Sequence, residues 1–121
     1  MTQVRIWEGR RGSVGGRDDS DYIIVTFDGE AIGSWTEHLD DRGNRGVTYD
    51  VYRTDEGTII VHRVAWSRWE NEDDTALIVE YDSLDDAAQY YRRELENAGI
   101  IERRVLTLNE WRRQQKYRTA E

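Results

Sequence analysis

The residues able to do chemistry in this chain are few and scattered. Its only histidines are His38 and His62. His38 stands in Glu37-His38-Leu39-Asp40-Asp41, a stretch with carboxylate oxygens but no second imidazole or thiolate to complete a nitrogen–sulfur metal set. His62 falls on a strand face with Ile60, Val64 and Trp66, the setting of a hydrogen-bonded sheet histidine rather than of a general base. Cysteine is absent, which excludes a disulfide scaffold, a zinc-thiolate site and a Cys nucleophile. No Gly-x-Ser-x-Gly elbow occurs. Gly12-Ser13-Val14-Gly15-Gly16 has the glycines of a phosphate loop but not its Gly-Lys-Ser/Thr ending, and a strand rather than a helix is expected after it. Glu70-Asn71-Glu72-Asp73-Asp74 lacks the alternating ligands and central Gly of a calcium loop, and reads as a solvated turn. No metal, cofactor or catalytic residue is assigned, and the chain reads as non-enzymatic.

The remaining side chains are suited to contact. Trp66-Ser67-Arg68-Trp69 puts two Trp three residues apart at a strand end, so one faces the core and the other projects outward. Trp and Arg are enriched at interface hot spots. Trp35, Trp66, Arg68 and Trp69 are therefore the candidate partner-binding residues. Near the C-terminus, Arg112, Arg113, Lys116 and Arg118 surround Trp111. A basic helix bearing an aromatic side chain suits nucleic-acid phosphates, and it equally suits the chain's own acidic body. Trp111, Arg112, Arg113 and Lys116 are the candidate residues of that alternative. A third alternative, a small-ligand or enzymatic domain, places a pocket between a helix over 84–98 and the sheet, lined by Tyr22, Tyr49, Trp66 or Tyr91.

Charge sharpens the choice. The chain carries 17 Lys and Arg against 25 Asp and Glu, a formal net charge of -8. The bases sit at the ends: Arg5, Arg10, Arg11 and Arg17 at one, and Arg103, Arg104, Arg112, Arg113, Lys116 and Arg118 at the other. Residues 18–86 are strongly acidic, with Arg42, Arg45, Arg53, Arg63 and Arg68 as their only bases, and residues 87–98 are balanced. Such a body repels phosphate backbones and attracts basic proteins. No apolar run reaches the ~20 residues that span a bilayer, and no signal-like segment opens the chain. With the absence of Cys, this favours the cytoplasm and no membrane partner.

These residues need a frame. At 121 residues the chain has the size of a single domain. Val4 to Trp7 reads as an edge strand, and 9–20 as a flexible Gly-rich loop. Tyr22 to Phe27 is β-branched and aromatic; Asp28-Gly29 then signals a tight hairpin turn, with Ala31 to Trp35 returning. Val47, Tyr49 and Val51 alternate with polar neighbours, and Thr54-Asp55-Glu56-Gly57 is a turn. Thr58 to Trp69 is apolar on both faces, Ile60, Val64 and Trp66 on one and Ile59, Val61 and Ala65 on the other. Thr75 to Tyr81 is a further strand. Leu84, Ala87, Ala88, Tyr91, Leu95 and Ala98 then recur at helical spacing, behind the capping pair Ser83 and Asp86 and ahead of Gly99. Ile100 to Leu106 is a possible last strand. Thr107-x-x-Glu110 opens a short C-terminal helix within 107–121.

Strands followed by helices argue an α+β domain over 1–121: an antiparallel sheet of about five strands, a packed helix over 84–98 and a short terminal helix. The helix covers one sheet face. The second apolar face of 58–69 also needs cover, and a second subunit supplies it if the protein is a homodimer.

The run Tyr49-Asp50-Val51-Tyr52-Arg53-Thr54-Asp55-Glu56-Gly57, continuing through Val61-His62, resembles a hairpin pattern in uncharacterised bacterial proteins of the EXLDI type. Their acid-x-Leu-Asp motif falls on Asp82-Ser83-Leu84-Asp85, with Asp82 in place of Glu and Asp86 in place of Ile. The resemblance implies a bacterial source and no established activity. The expected function is thus a small acidic regulatory or accessory protein acting by protein–protein contact, of inhibitor or immunity type, with a basic partner.

Overall fold

The computed structural model describes residues 2–12, 21–69 and 72–119. Its elements are β1 (Thr2–Arg11), β2 (Asp21–His38), β3 (Arg45–Thr54), β4 (Ile59–Ser67), β5 (Asp74–Tyr81), α1 (Leu84–Asn97) and α2 (Leu108–Thr119). The fold is α+β. Each strand pairs antiparallel with the next, and β1 pairs antiparallel with β5, so the sheet closes into a barrel.

A ring of five antiparallel neighbours reverses direction an odd number of times. It closes only if one strand presents different directions to its two neighbours. That strand is β2, which at 18 residues is far longer than the usual strand. Its first half, through Gly29, pairs with β1; its second half, from Gly29, pairs with β3. A register shift between Ala31 and Gly33 marks the bend, as β-bulges do at barrel corners.

The Asp28-Gly29 hairpin turn therefore does not form. Gly29 pairs with Thr2 on one side and Thr54 on the other. Its missing Cβ leaves room for the Arg53 carbonyl oxygen, which would lie 2.4 Å from that carbon. The glycine serves close approach rather than a turn. Residues 4–7 lie within β1, which pairs with β2 from Thr2 to Arg10 but with β5 only from Gly9 to Arg11, so that 4–7 has a ladder on one side.

The two apolar faces of β4 behave as the alternation predicts. Ile59 and Val61 join Val47, Tyr49 and Val51 of β3 in a core closed by Ala87 and Leu95 of α1. The opposite face turns into the barrel, where Ile60, His62 and Ala76 are buried along with Ile6 of β1. The second face thus finds cover within the chain, and the structural need for a homodimer disappears. Each large apolar side chain so buried stabilises by roughly 1.5–3 kcal/mol.

Helix α1 is bounded as its sequence demands. The Asp86 amide donates to the Ser83 Oγ at 3.2 Å. At the other end Gly99, at φ 75, lets its amide donate to Glu96 O and that of Ile100 to Leu95 O, the paired bonds of a Schellman stop. Residues 100–106 form no strand. Ile100 and Ile101 pack on the core instead. The second capping box holds: the Thr107 Oγ1 accepts the Glu110 amide and donates to its carboxylate.

Candidate functional site

The Trp residues do not form one surface. Trp35 is paired with Tyr49, stacks on it at 6.0 Å, and lies on the α1 side under the Arg93 guanidinium. Arg93 is itself tied to Glu37 at 2.7 Å, which raises its pKa. Trp66 lies on the opposite face, across Gly46, with its indole N–H donating to Thr48 Oγ1 at 3.0 Å. The Arg68 guanidinium sits 5.7 Å over it. Of the four candidates, Arg68 and Trp69 are exposed at this barrel end. Here the Arg68 amide donates to Asn44 O, and Arg45 binds Glu72.

In the C-terminal set Trp111, Arg112 and Arg113 are exposed on α2, and the Lys116 side chain lies outside the described residues. So does Ser13 to Ser20 of the Gly-rich loop; β1 extends into its predicted start, to Arg11.

A cavity of about 490 Å³ opens between α1 and β5, lined by Tyr81, Asp86 and Tyr90 and by none of Tyr22, Tyr49, Trp66 and Tyr91. Ala87 and Leu95 are fully buried under α1, and Tyr91 fills the space between Tyr49 and Tyr81. Burial lifts the Tyr81 hydroxyl to about 12, with Tyr91 and then Tyr90 adding to the effect. Tyr22 lies elsewhere, edge-on to Trp7 at 5.9 Å, with the Arg11 guanidinium over both rings.

One cavity opens at a mouth of the barrel. It has a volume of about 540 Å³. Three pieces of chain build it: the first half of β2, the β3–β4 turn, and one face of β4–β5. Val25, Phe27, Ile60 and Ile78 give it an apolar floor, and Asp28, Asp55, Glu56 and Glu80 stand around it, with no basic residue among the described lining residues. Two hydrogen bonds hold this rim. The Asp55 amide donates to Asp28 O, docking the turn on β2. The Thr58 hydroxyl donates to Glu80 Oε2 at 2.7 Å. Phe27 is held edge-on to Tyr52 at 5.6 Å, and the Tyr52 hydroxyl is pushed up by burial and then by Asp50.

Sequence reasoning missed this site. Its floor comes from strands more than thirty residues apart, and Asp28 was read as part of a hairpin turn. The one available signal was that Asp55, Glu56 and Glu80 flank strands whose apolar face had no assigned cover.

His62 is a buried, hydrogen-bonded histidine of β4. It is 4% exposed, and its Nε2–H donates to the Trp7 carbonyl at 2.7 Å. Among the described residues no group of His, Asp and Glu is arranged to hold a metal, and no helix is long and apolar enough to cross a membrane. Compared with known protein families, curated proteins and solved structures, the chain matches none.

Proposed function

We propose that this protein is a non-enzymatic binding module whose barrel mouth receives a basic segment of another protein. The observation that carries this reading is the lining itself: an apolar floor of four side chains under four carboxylates, with no cation among the described lining residues. An Arg or Lys side chain has the matching form, an aliphatic stem ending in a charge. The stem buries against Ile60 and Ile78 while its head stays among Asp55, Glu56 and Glu80. The formal charge of -8 steers basic partners toward the surface and repels acidic ones. An inhibitor or immunity-type role, in which acids cover a basic patch on a target, is the form of regulation this layout suits.

The test uses a capped Arg-Trp-Arg peptide as probe, with methyl NMR as the readout. Saturable shifts centred on Val25, Ile60 and Ile78, weakened by salt and lost in Glu80→Lys, are expected. Absence of shifts at millimolar peptide, or shifts that Glu80→Lys leaves intact, would overturn the reading.

A second reading, a nucleic-acid-binding regulator, draws on the exposure of Trp111, Arg112 and Arg113 on α2. It requires that the intact protein be retained by DNA at low salt, and that Arg112→Ala with Arg113→Ala end that retention without unfolding the barrel. No retention by the intact protein removes it.

A further inference from the structure

Helix α2 has the composition the barrel mouth lacks. Leu108 and Trp111 are 59% and 50% exposed, one helical turn apart, and Arg112 and Arg113 follow directly. An apolar pair beside two guanidiniums is the complement of an apolar floor beneath Asp28, Asp55, Glu56 and Glu80. We propose that α2 of one copy docks in the barrel mouth of a second copy, so that the chain carries its own occupant for the site described above.

Geometry favours a second copy over the helix's own barrel. Glu80, at the mouth, is four residues before Leu84, so α1 starts at the mouth end; it is kinked at Tyr91, and Ile100 beyond it packs at Gly33 of β2. The segment after α1 is pinned to its last turns: Arg103 donates to Asn97 Oδ1, and the Arg104 amide donates to Glu96 Oε2. Residues 105–107 then lead into α2, whose Leu108 and Trp111 stand exposed rather than seated on their own barrel. Val105 in that tether is 89% exposed, so nothing in its own barrel holds it.

Charge points the same way. The bases around α2 and the acids of the mouth lie on different parts of one chain, so two copies placed reciprocally bring opposite charges together twice. Exchange of α2 in both directions gives a closed two-fold dimer; exchange in one direction gives an open chain of copies. The inference rests on the reading of the mouth as a receptor for basic segments. If it holds, self-docking competes with any external partner, and dilution opens the site.

The experiment is sedimentation equilibrium on the full chain, from about 1 µM to about 1 mM, a range that brackets a weak self-association. Two variants are compared. Glu56→Lys with Glu80→Lys cancels the negative charge of the mouth, leaving two acids against two Lys; Arg112→Glu with Arg113→Glu makes the helix acidic. The wild-type chain is expected to associate reversibly, more weakly at high salt, and each variant alone to stay monomeric. In an equimolar mixture of the two variants the native mouth of one meets the native helix of the other, a contact that neither variant can make with its own copies. That cross contact is expected to give heterodimers. Circular dichroism confirms that each variant is folded.

A wild-type chain monomeric throughout, variants that still associate, or a mixture that stays monomeric would each overturn the proposal. The peptide titration separates this failure from failure of the parent reading. A monomeric chain that binds the peptide leaves the mouth a receptor and removes only self-docking.

Discussion

The Glu8 side chain completes the barrel seam at Ile78. The β1–β5 ladder has only three residue pairs, Gly9 with Ala76 to Arg11 with Asp74. Just beyond it the Ile78 amide would lack a backbone partner, and Glu8 Oε2 accepts it at 2.8 Å. On the same stretch His62 donates to the Trp7 carbonyl. Two side chains thus bridge the strands where the backbone ladder ends, consistent with the rule that part-buried amides find partners.

Removing that acceptor has a predictable effect. Glu8→Ala should lower stability by about 1–3 kcal/mol, the typical penalty for an unsatisfied buried donor. Glu8→Gln keeps an amide oxygen at the same reach and should recover most of it. Urea unfolding gives the stabilities, and hydrogen exchange at Ile78 gives the local effect. Equal loss in both variants would mean that the charge, not the hydrogen bond, holds the seam.

Gly29 tests the bend of β2. Gly29→Ala sets a methyl carbon 2.4 Å from the Arg53 carbonyl oxygen, a backbone atom that cannot rotate aside. The expected destabilisation is about 1–3 kcal/mol, as for other overpacked positions, with backbone shifts in both β2 and β3. If Gly29 instead occupied a free turn, the same substitution would disturb only its immediate neighbours. Chemical-shift changes at Arg53 and Thr54 distinguish the two.

That position also shows where the sequence was legible. Alternation assigned the faces of β4 correctly because burial acts residue by residue along a strand. Ser83, Gly99, Thr107 and Glu110 marked the helix ends because caps are local hydrogen bonds. Asp28-Gly29 misled because a glycine needed for a turn and one needed for close approach look alike. The distinction depends on Arg53, a residue of another strand. The mouth was hidden for the same reason: Phe27, Ile60 and Glu80 share a cavity only after β2 bends and the ring closes. Trp35 and Trp66 were grouped by residue type, whereas strand register puts them on opposite faces.

Tyr81 makes stability fall in strong alkali. Its hydroxyl is raised from 10.0 to about 12 by burial, then by Tyr91 and Tyr90. The unfolded chain therefore loses this proton at lower pH than the folded one, and the contribution is complete below pH 10. It declines as pH rises from about 10 to about 12, by roughly 2 kcal/mol for a shift of this size, an upper figure because the ring is only partly buried. Tyr81→Phe should flatten this part of the profile while keeping the ring contacts. Unfolding midpoints at pH 9 and pH 11 for the two proteins provide the check; an unchanged slope would place the alkaline loss on other groups such as Tyr52.

The two helices should differ sharply in what they contribute to the barrel. Leu95 is 1% exposed in the core between α1 and the sheet, so Leu95→Ala should cost about 2–5 kcal/mol. Trp111 is half exposed, so Trp111→Ala should change the barrel's unfolding midpoint within experimental error at low protein concentration. A helix of 12 residues is marginal by itself, and the amides of α2 should exchange close to their intrinsic rates in dilute solution while those of α1 are protected. Raising the concentration should slow exchange in α2 alone, since docking on a second copy supplies the burial that its own barrel does not. Protection of α2 that is strong and independent of concentration would instead mean that the helix is held within one chain.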